Sequence, residues 1–220
     1  MTEAASVPPM VDAKLGREIA TAFGLGEDGL LEGPVARGEV GQVWKLTTPG
    51  GVFAVKEPFE PPSIDEVVDD AAYQDRVRAA GVPMPHVVRA RDGRVVARVD
   101  RRHVRLYGWV DLLPADRSVD PAAVGAVIAA IHRVVHFGSN GVHPWYTDPV
   151  GEHRWDALVT ELIDAGAPFA NGLAAQRDEL VALERLLVPP SVLQTCHRDL
   201  FADNVVATPT GELCVIDWEN

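Results

Sequence analysis

The chain has 220 residues, 47% of them hydrophobic, and its 20 Lys and Arg against 32 Asp and Glu leave a formal net charge of −12. That length and apolar content suit one large domain or two small lobes with a sizeable core, and they exclude a disordered chain. The acidic balance argues against a general nucleic-acid binder, and the longest apolar runs fall short of the ~18 residues that a membrane span needs.

The N-terminal MTEAASVPPMVDAK lacks a basic start followed by an apolar core, so no signal peptide is expected and the predicted location is cytoplasmic. Residues 11–25 then predict a short amphipathic helix. The segment PVARGEVGQVWKLTTPGGVFAVKEP carries β signals: Val40, Val43, Trp44 and Leu46 fill one strand, Pro49-Gly50-Gly51 is a turn, and Val52–Val55 form a second strand, making a hairpin. After three prolines, Ser63 opens a helix, with Glu66 placed for a capping box, and the helix stops at Gly81. Residues 57–72 hold six acids and no base, and residues 73–105 hold nine arginines; both read as solvated faces. Two or three further strands follow, with Asp92-Gly93 as a hairpin turn. From Asp120 the pattern turns helical, with helices predicted over DPAAVGAVIAAIHRVVHF, roughly 153–166 and 170–187. Short strands return in SVLQTCHRDL, NVVATPT and ELCVIDW. The shift near 111–120 predicts a β-rich lobe, 1–110, and a helical lobe, 111–220.

The segment His197-Arg198-Asp199-Leu200-Phe201-Ala202-Asp203-Asn204, with Val215-Ile216-Asp217 thirteen residues beyond Asn204, carries the chemistry. Phosphoryl transfer needs one carboxylate to orient the attacking hydroxyl, and an amide oxygen plus a second carboxylate to hold Mg²⁺ against nucleotide phosphates. The turn-rich Thr208-Pro209-Thr210-Gly211 lets Asn204 and Asp217 converge. With only three lysines against seventeen arginines, Lys56 at the end of FAVK stands out. The two cysteines, Cys196 and Cys214, form no disulfide framework or metal spacing and read as buried strand residues.

HRDLFADN and IDWE, with GEVGQVWKL…FAVKE, GVPMP and RLYGWV in the same order, resemble the aminoglycoside phosphotransferase family, within the protein-kinase-like fold, over most of residues 36–220. The resemblance implies an α+β, bilobal fold: a small β-sheet N-lobe that binds nucleotide and a mostly helical C-lobe bearing the catalytic and metal-binding loops. It implies that Asp199 is the catalytic aspartate, that Asn204 and Asp217 are the Mg²⁺ ligands, and that His197 braces the loop. Lys56 would pair with the phosphates of ATP or GTP, Gly38 and Gly41 would approach them, and the hinge at Trp109 and Val110 would meet the base. Among Glu66, Asp69 and Asp70, Asp70 best fits the position of the lysine's acidic partner. The family carries further C-terminal helices, so the C-lobe is expected to be incomplete, since the sequence stops three residues after Asp217.

D-F-G and A-P-E are absent, which favours a small-molecule kinase over a protein kinase. The implied partner is a small hydroxyl substrate, and the acidic charge favours a cationic one such as an aminoglycoside. A competing reading is a kinase-like nucleotide-binding protein that transfers no phosphate. Of the five tryptophans most are expected in the core, while Trp145, Tyr146 and Trp155 sit in a Pro-rich crossing that could form a lid or pocket wall.

Overall fold

In the computed structural model, which describes residues 10–138, 142, 147–188 and 192–218, Asp12 closes the short strand β1 (Met10–Asp12). Its carboxylate also accepts the Leu15 amide at 2.9 Å and so starts helix α1 (Ala13–Ala22). The predicted N-terminal helix is present, and it buries Leu15, Ile19 and Ala20. Three antiparallel strands follow: β2 (Leu30–Arg37), β3 (Gly41–Thr48) and β4 (Gly51–Pro58). Their pairing shifts between Glu32 and Ala36, around Gly33-Pro34, because proline has no amide to give to a ladder. The expected turn joins β3 to β4, with the Thr48 hydroxyl donating to the Gly51 carbonyl at 3.1 Å and accepting the Gly50 amide at 3.2 Å.

Helix α2 (Ile64–Ala79) begins after Ser63, but the Ser63 side chain makes no capping bond and Glu66 is exposed, so the predicted capping box does not form. Acids in the first turn (Asp65, Glu66) and arginines in the last (Arg76, Arg78) complement the helix dipole instead. Beyond Gly81 come β5 (Val87–Val88), β6 (Val96–Val99) and β7 (Arg102–Gly108). Asp92-Gly93 does turn the chain, with Gly93 N–H donating to the Ala90 carbonyl at 2.9 Å, but it joins no hairpin. Both β5 and β6 pair with the longer β7, and the reversal that feeds a ladder is at Asp100, whose φ is +54°. The sheet order is β1-β2-β3-β4-β7-β5, with β6 also on β7. Leu15, Ile19, Leu31, Trp44, Leu46, Val55 and Leu106 form its core, each such burial stabilising by about 1.5–3 kcal/mol. Arg105 departs from the solvated face expected of the arginines: it is buried, with its guanidinium over the Tyr107 ring.

Asp120 caps helix α3 (Pro121–His132) by accepting the Ala122 amide at 2.9 Å; the helix ends at His132, short of the Phe137 that the apolar run predicts. Tyr73, Val77, Met84, Ile131, Val215 and Trp218 form a second core cluster around α2, α3 and the C-terminal segment. Helices α4 (Glu152–Asp164) and α5 (Ala170–Glu184) follow. The Glu184 carboxylate ties the start of α4, accepting from the Val150 and Gly151 amides and from Trp155 Nε1 at 2.9–3.0 Å. Trp155 is therefore a strut within this helix pair; Trp145 and Tyr146 lie outside the described residues. Strands β8 (Val205–Ala207) and β9 (Leu213–Val215) form a separate hairpin. No strand forms over 192–200, where the Thr195 amide bonds a loop carbonyl, that of His136, at 2.8 Å.

The fold class is α+β, an antiparallel N-terminal sheet followed by helices. The chain divides into two compact units, one of residues up to 139 together with 194–220 and the other of 140–193. Among the described residues no helix is long and apolar enough to cross a membrane.

Candidate active site

The β8–β9 hairpin assembles the site. Its turn is closed by Thr208 N–H to Glu212 O at 2.8 Å and by Gly211 N–H to Thr208 O at 2.9 Å, with Gly211 at φ +86°. The last ladder pair is Val205 with Val215, and one step further the Ile216 amide donates to the Asn204 carbonyl at 3.0 Å. Asp217 is thereby carried up beside Asn204.

Asn204 in turn holds Asp199. Its Nδ2 donates to the Asp199 main-chain carbonyl at 2.8 Å and to the Asp199 carboxylate at 2.9 Å. Only the amino group of the amide can serve two acceptors, so these bonds fix the side chain's orientation and put Oδ1 on its opposite edge.

His197 locks the loop from behind. It is 2% exposed, its Nε2 bonds the Ile216 carbonyl at 2.9 Å, and its Nδ1 accepts the Asp199 amide at 3.4 Å. That pairing requires the neutral ring with its proton on Nε2. Burial agrees, pushing the His197 pKa below the usual value against the opposing pull of the Ile216 carbonyl and the Asp217 and Asp199 carboxylates. Trp218 packs edge-on against the imidazole, with centroids 4.6 Å apart, and donates to the Val215 carbonyl at 3.0 Å. Arg198 and Asp217 hold φ values of +69° and +63°, the left-handed region that costs an ordinary residue roughly 1–2 kcal/mol. The bonds to Ile216 and Asn204 and the Trp218 packing hold Asp217 there.

Lys56 reaches the same place from the sheet. It sits on β4 between Val43 and Arg105, and its ammonium contacts Asp217 Oδ1 at 2.8 Å, with the Tyr107 ring 5.8 Å away. Gly38 and Gly41 flank the β2–β3 tip and bond each other, N–H to O, at 2.9 Å. A Cβ on Gly41 would stand 2.8 Å from the Glu57 carbonyl, so a side chain there has no room. On α2, Asp69 bonds His136 Nε2 at 3.2 Å, Asp70 beside it is half-buried, and Glu66 is exposed. Trp109 follows β7; its amide donates to the Val52 carbonyl at 3.1 Å and its indole to Asp111 at 2.9 Å. Val110 lines a separate open groove of about 410 Å³ with Arg78, Met84 and Glu212. Cys214 is buried in β9, its thiol pushed up to about 11 by burial.

Lys56, Asp199, Asn204 and Asp217 are thus linked by one chain of bonds. The brace from Trp218 and the Asp69–His136 contact are not legible from spacing; an aromatic directly after Asp217 is the only hint of the first. Among the described residues no group of three or more His, Cys, Asp or Glu could hold a metal ion by itself. An amide oxygen and a carboxylate are hard oxygen donors, and such a partial set suits Mg²⁺, which keeps waters and phosphate oxygens in its shell.

A family model described as the phosphotransferase enzyme family matches residues 33–220. A search of curated proteins finds no match. Among solved structures, a spectinomycin phosphotransferase in complex with ADP and spectinomycin matches with a TM-score of 0.63 at 12% identity, over 94% of this chain and 68% of that one. A microcompartment-associated aminopropanol kinase matches with 0.60 at 19%, over 92% and 68%. An aminoglycoside phosphotransferase from Alicyclobacillus acidocaldarius matches with 0.53 at 16%, over 84% and 61%. The chain therefore spans 61–68% of these structures' own lengths, and the likeness is one of kinase-like fold.

Proposed function

The chain belongs to the phosphotransferase enzyme family, and on that premise we propose that it is an ATP- and Mg²⁺-dependent kinase that transfers the γ-phosphoryl group to a hydroxyl of a small molecule. The observation that carries this reading is the linked set itself: a cation, two metal-type oxygen donors and a carboxylate joined through the Asn204–Ile216 rung.

In this reading Asn204 and Asp217 would hold Mg²⁺, which supplies charge neutralisation at the β- and γ-phosphates. Lys56 neutralises phosphate oxygens, exchanging its present contact with Asp217 for them. The Gly38–Gly41 tip brings backbone close to the phosphates, and Trp109 and Val110 flank the base. Asp70 helps to orient Lys56 from α2. Asp199, fixed by Asn204, aims the acceptor oxygen and takes its proton, so that the O–P bond to the acceptor forms as the bond to ADP breaks. The N-lobe 1–110 and C-lobe 111–220 describe this division of labour.

An amine-bearing alcohol is the substrate class we favour. The net charge of −12 attracts cations, and the names aminoglycoside and aminopropanol both join an amine to hydroxyls. A cytoplasmic location, where ATP is supplied, fits this reading, and the net charge of −12 argues against a nucleic-acid partner. The test is acceptor-dependent ADP release with Mg-ATP and a panel of amino alcohols. Nucleotide binding without release on any acceptor favours the binding-only reading.

A further inference from the structure

Strand alternation puts Glu57 on the face of β4 opposite Lys56, beside Trp44 and the sheet core. Glu57 is only 14% exposed and collects four donated bonds: Arg102 Nη1 to both carboxylate oxygens at 2.9 Å, Trp44 Nε1 at 2.9 Å and Gln42 Nε2 at 3.0 Å. The chain of bonds does not end there. Gln42 uses its other amide atom to accept from Arg37 Nη1 at 3.1 Å, and Arg37 lies over the Phe59 ring, 4.7 Å from its centroid. Arg37, Gln42 and Glu57 are cross-strand neighbours on β2, β3 and β4, so the ladder crosses the sheet and ends at the β2–β3 tip.

At that tip Val40 is 80% exposed, and the nearest atom to a Cβ built on Gly38 is the Gly41 carbonyl oxygen at 4.0 Å. Two backbone bonds close it, Gly38 N–H to Gly41 O and Phe59 N–H to Val40 O, both at 2.9 Å, and Arg37 at the end of the polar ladder leads into it.

We propose that Glu57 is a positioning residue for the nucleotide: through Gln42 and Arg37 it presets the Gly38–Gly41 tip for phosphate. The inference rests on reading this tip as the phosphate-holding loop. A preset loop loses less conformational freedom when ligand binds, so the ladder lowers the nucleotide Kd and leaves the chemical step alone.

Gln42→Leu cuts the ladder while sparing the Glu57–Arg102–Trp44 cluster; Glu57→Ala removes all of it; Glu57→Gln keeps an acceptor in place. The readouts are amide hydrogen exchange at residues 38–41 without nucleotide, ATP Kd, and kcat at saturating ATP. Gln42→Leu is expected to speed exchange at the tip and to raise Kd about tenfold, with kcat within about twofold of wild type, the size that ordering one or two more side chains commands. Glu57→Ala follows the same pattern with a lowered melting temperature, and Glu57→Gln recovers most of the affinity. Unchanged exchange and unchanged Kd in Gln42→Leu overturn the proposal while nucleotide binding by the wild type stands. A wild type that binds no ATP, with exchange still faster in Gln42→Leu, overturns the phosphate role of the tip together with the function proposed above.

Discussion

The Lys56 ammonium stands 2.8 Å from Asp217 Oδ1, joining the fourth strand to a residue 161 positions later. The two side chains are 26% and 49% exposed, so the pair adds at most about 1 kcal/mol to stability. Its significance is location: it brings a strand lysine to Asp217, the carboxylate proposed to hold Mg²⁺. Lys56→Met is expected to keep the ligand-free melting curve within that small margin, while phosphoryl transfer falls roughly 10²–10³-fold, as when one aimed electrostatic partner is removed. Parallel thermal melts and ADP-release assays check this; normal turnover would make Lys56 a strand residue only.

In the proposed function Asn204 has two duties, and its variants should separate from those of Asp217. Asp217→Ala removes an oxygen donor, so the Mg²⁺ concentration for half-maximal activity is expected to rise at least about tenfold. Asn204→Ala removes a donor and also releases Asp199, so it lowers kcat even at saturating Mg²⁺. Magnesium titrations of both variants decide, and an unchanged Mg²⁺ dependence in Asp217→Ala contradicts the assignment.

Buried His197 makes stability depend on pH. Burial lowers its folded-state pKa below the unfolded value, so as pH falls the unfolded chain takes the proton first. The contribution is complete above a pH of about 6.5 and erodes below it. His86 acts in the same direction, lowered first by burial and then by Arg78. Melting temperatures between pH 7.5 and 5, both about the His range, are expected to fall with acid in the wild type and to fall less steeply in His197→Gln. An equal slope in the two proteins would remove His197 as the titrating group.

Much of this was legible in the sequence where one signal dominates. Thr48-Pro49-Gly50-Gly51 admits little but a tight turn, Gly81 ends α2 as its spacing predicts, and the Thr208–Gly211 turn carries Asp217 to Asn204. Where tertiary partners decide, the local pattern and the fold part. Asp92-Gly93 turns the chain, yet β7 offers a longer edge, so β5 and β6 pair there and not with each other. The apolar run to Phe137 outlasts its helix because His136 is drawn to Asp69 and its carbonyl to Thr195. Ser63 fits a capping pattern that its side chain does not complete. Within the site, the spacing from Asp199 to Asn204 carries a mechanism, whereas the direct Lys56–Asp217 contact depends on a long-range fold that no local pattern encodes.

In the proposed function Asp199 works on the acceptor and not on the metal, and one paired measurement on Asp199→Asn tests this. The substitution keeps shape and hydrogen-bonding capacity while removing charge and basicity. Mg-ATP titration and acceptor-dependent ADP release are run on the same preparation, alongside wild type. Nucleotide affinity is expected to stay within about twofold, since Asn204, Asp217 and Lys56 are untouched, while the rate drops roughly 10²–10⁴-fold, the usual cost of losing a positioned general base. Retention of both affinity and rate in the variant would place the chemistry elsewhere and contradict the account.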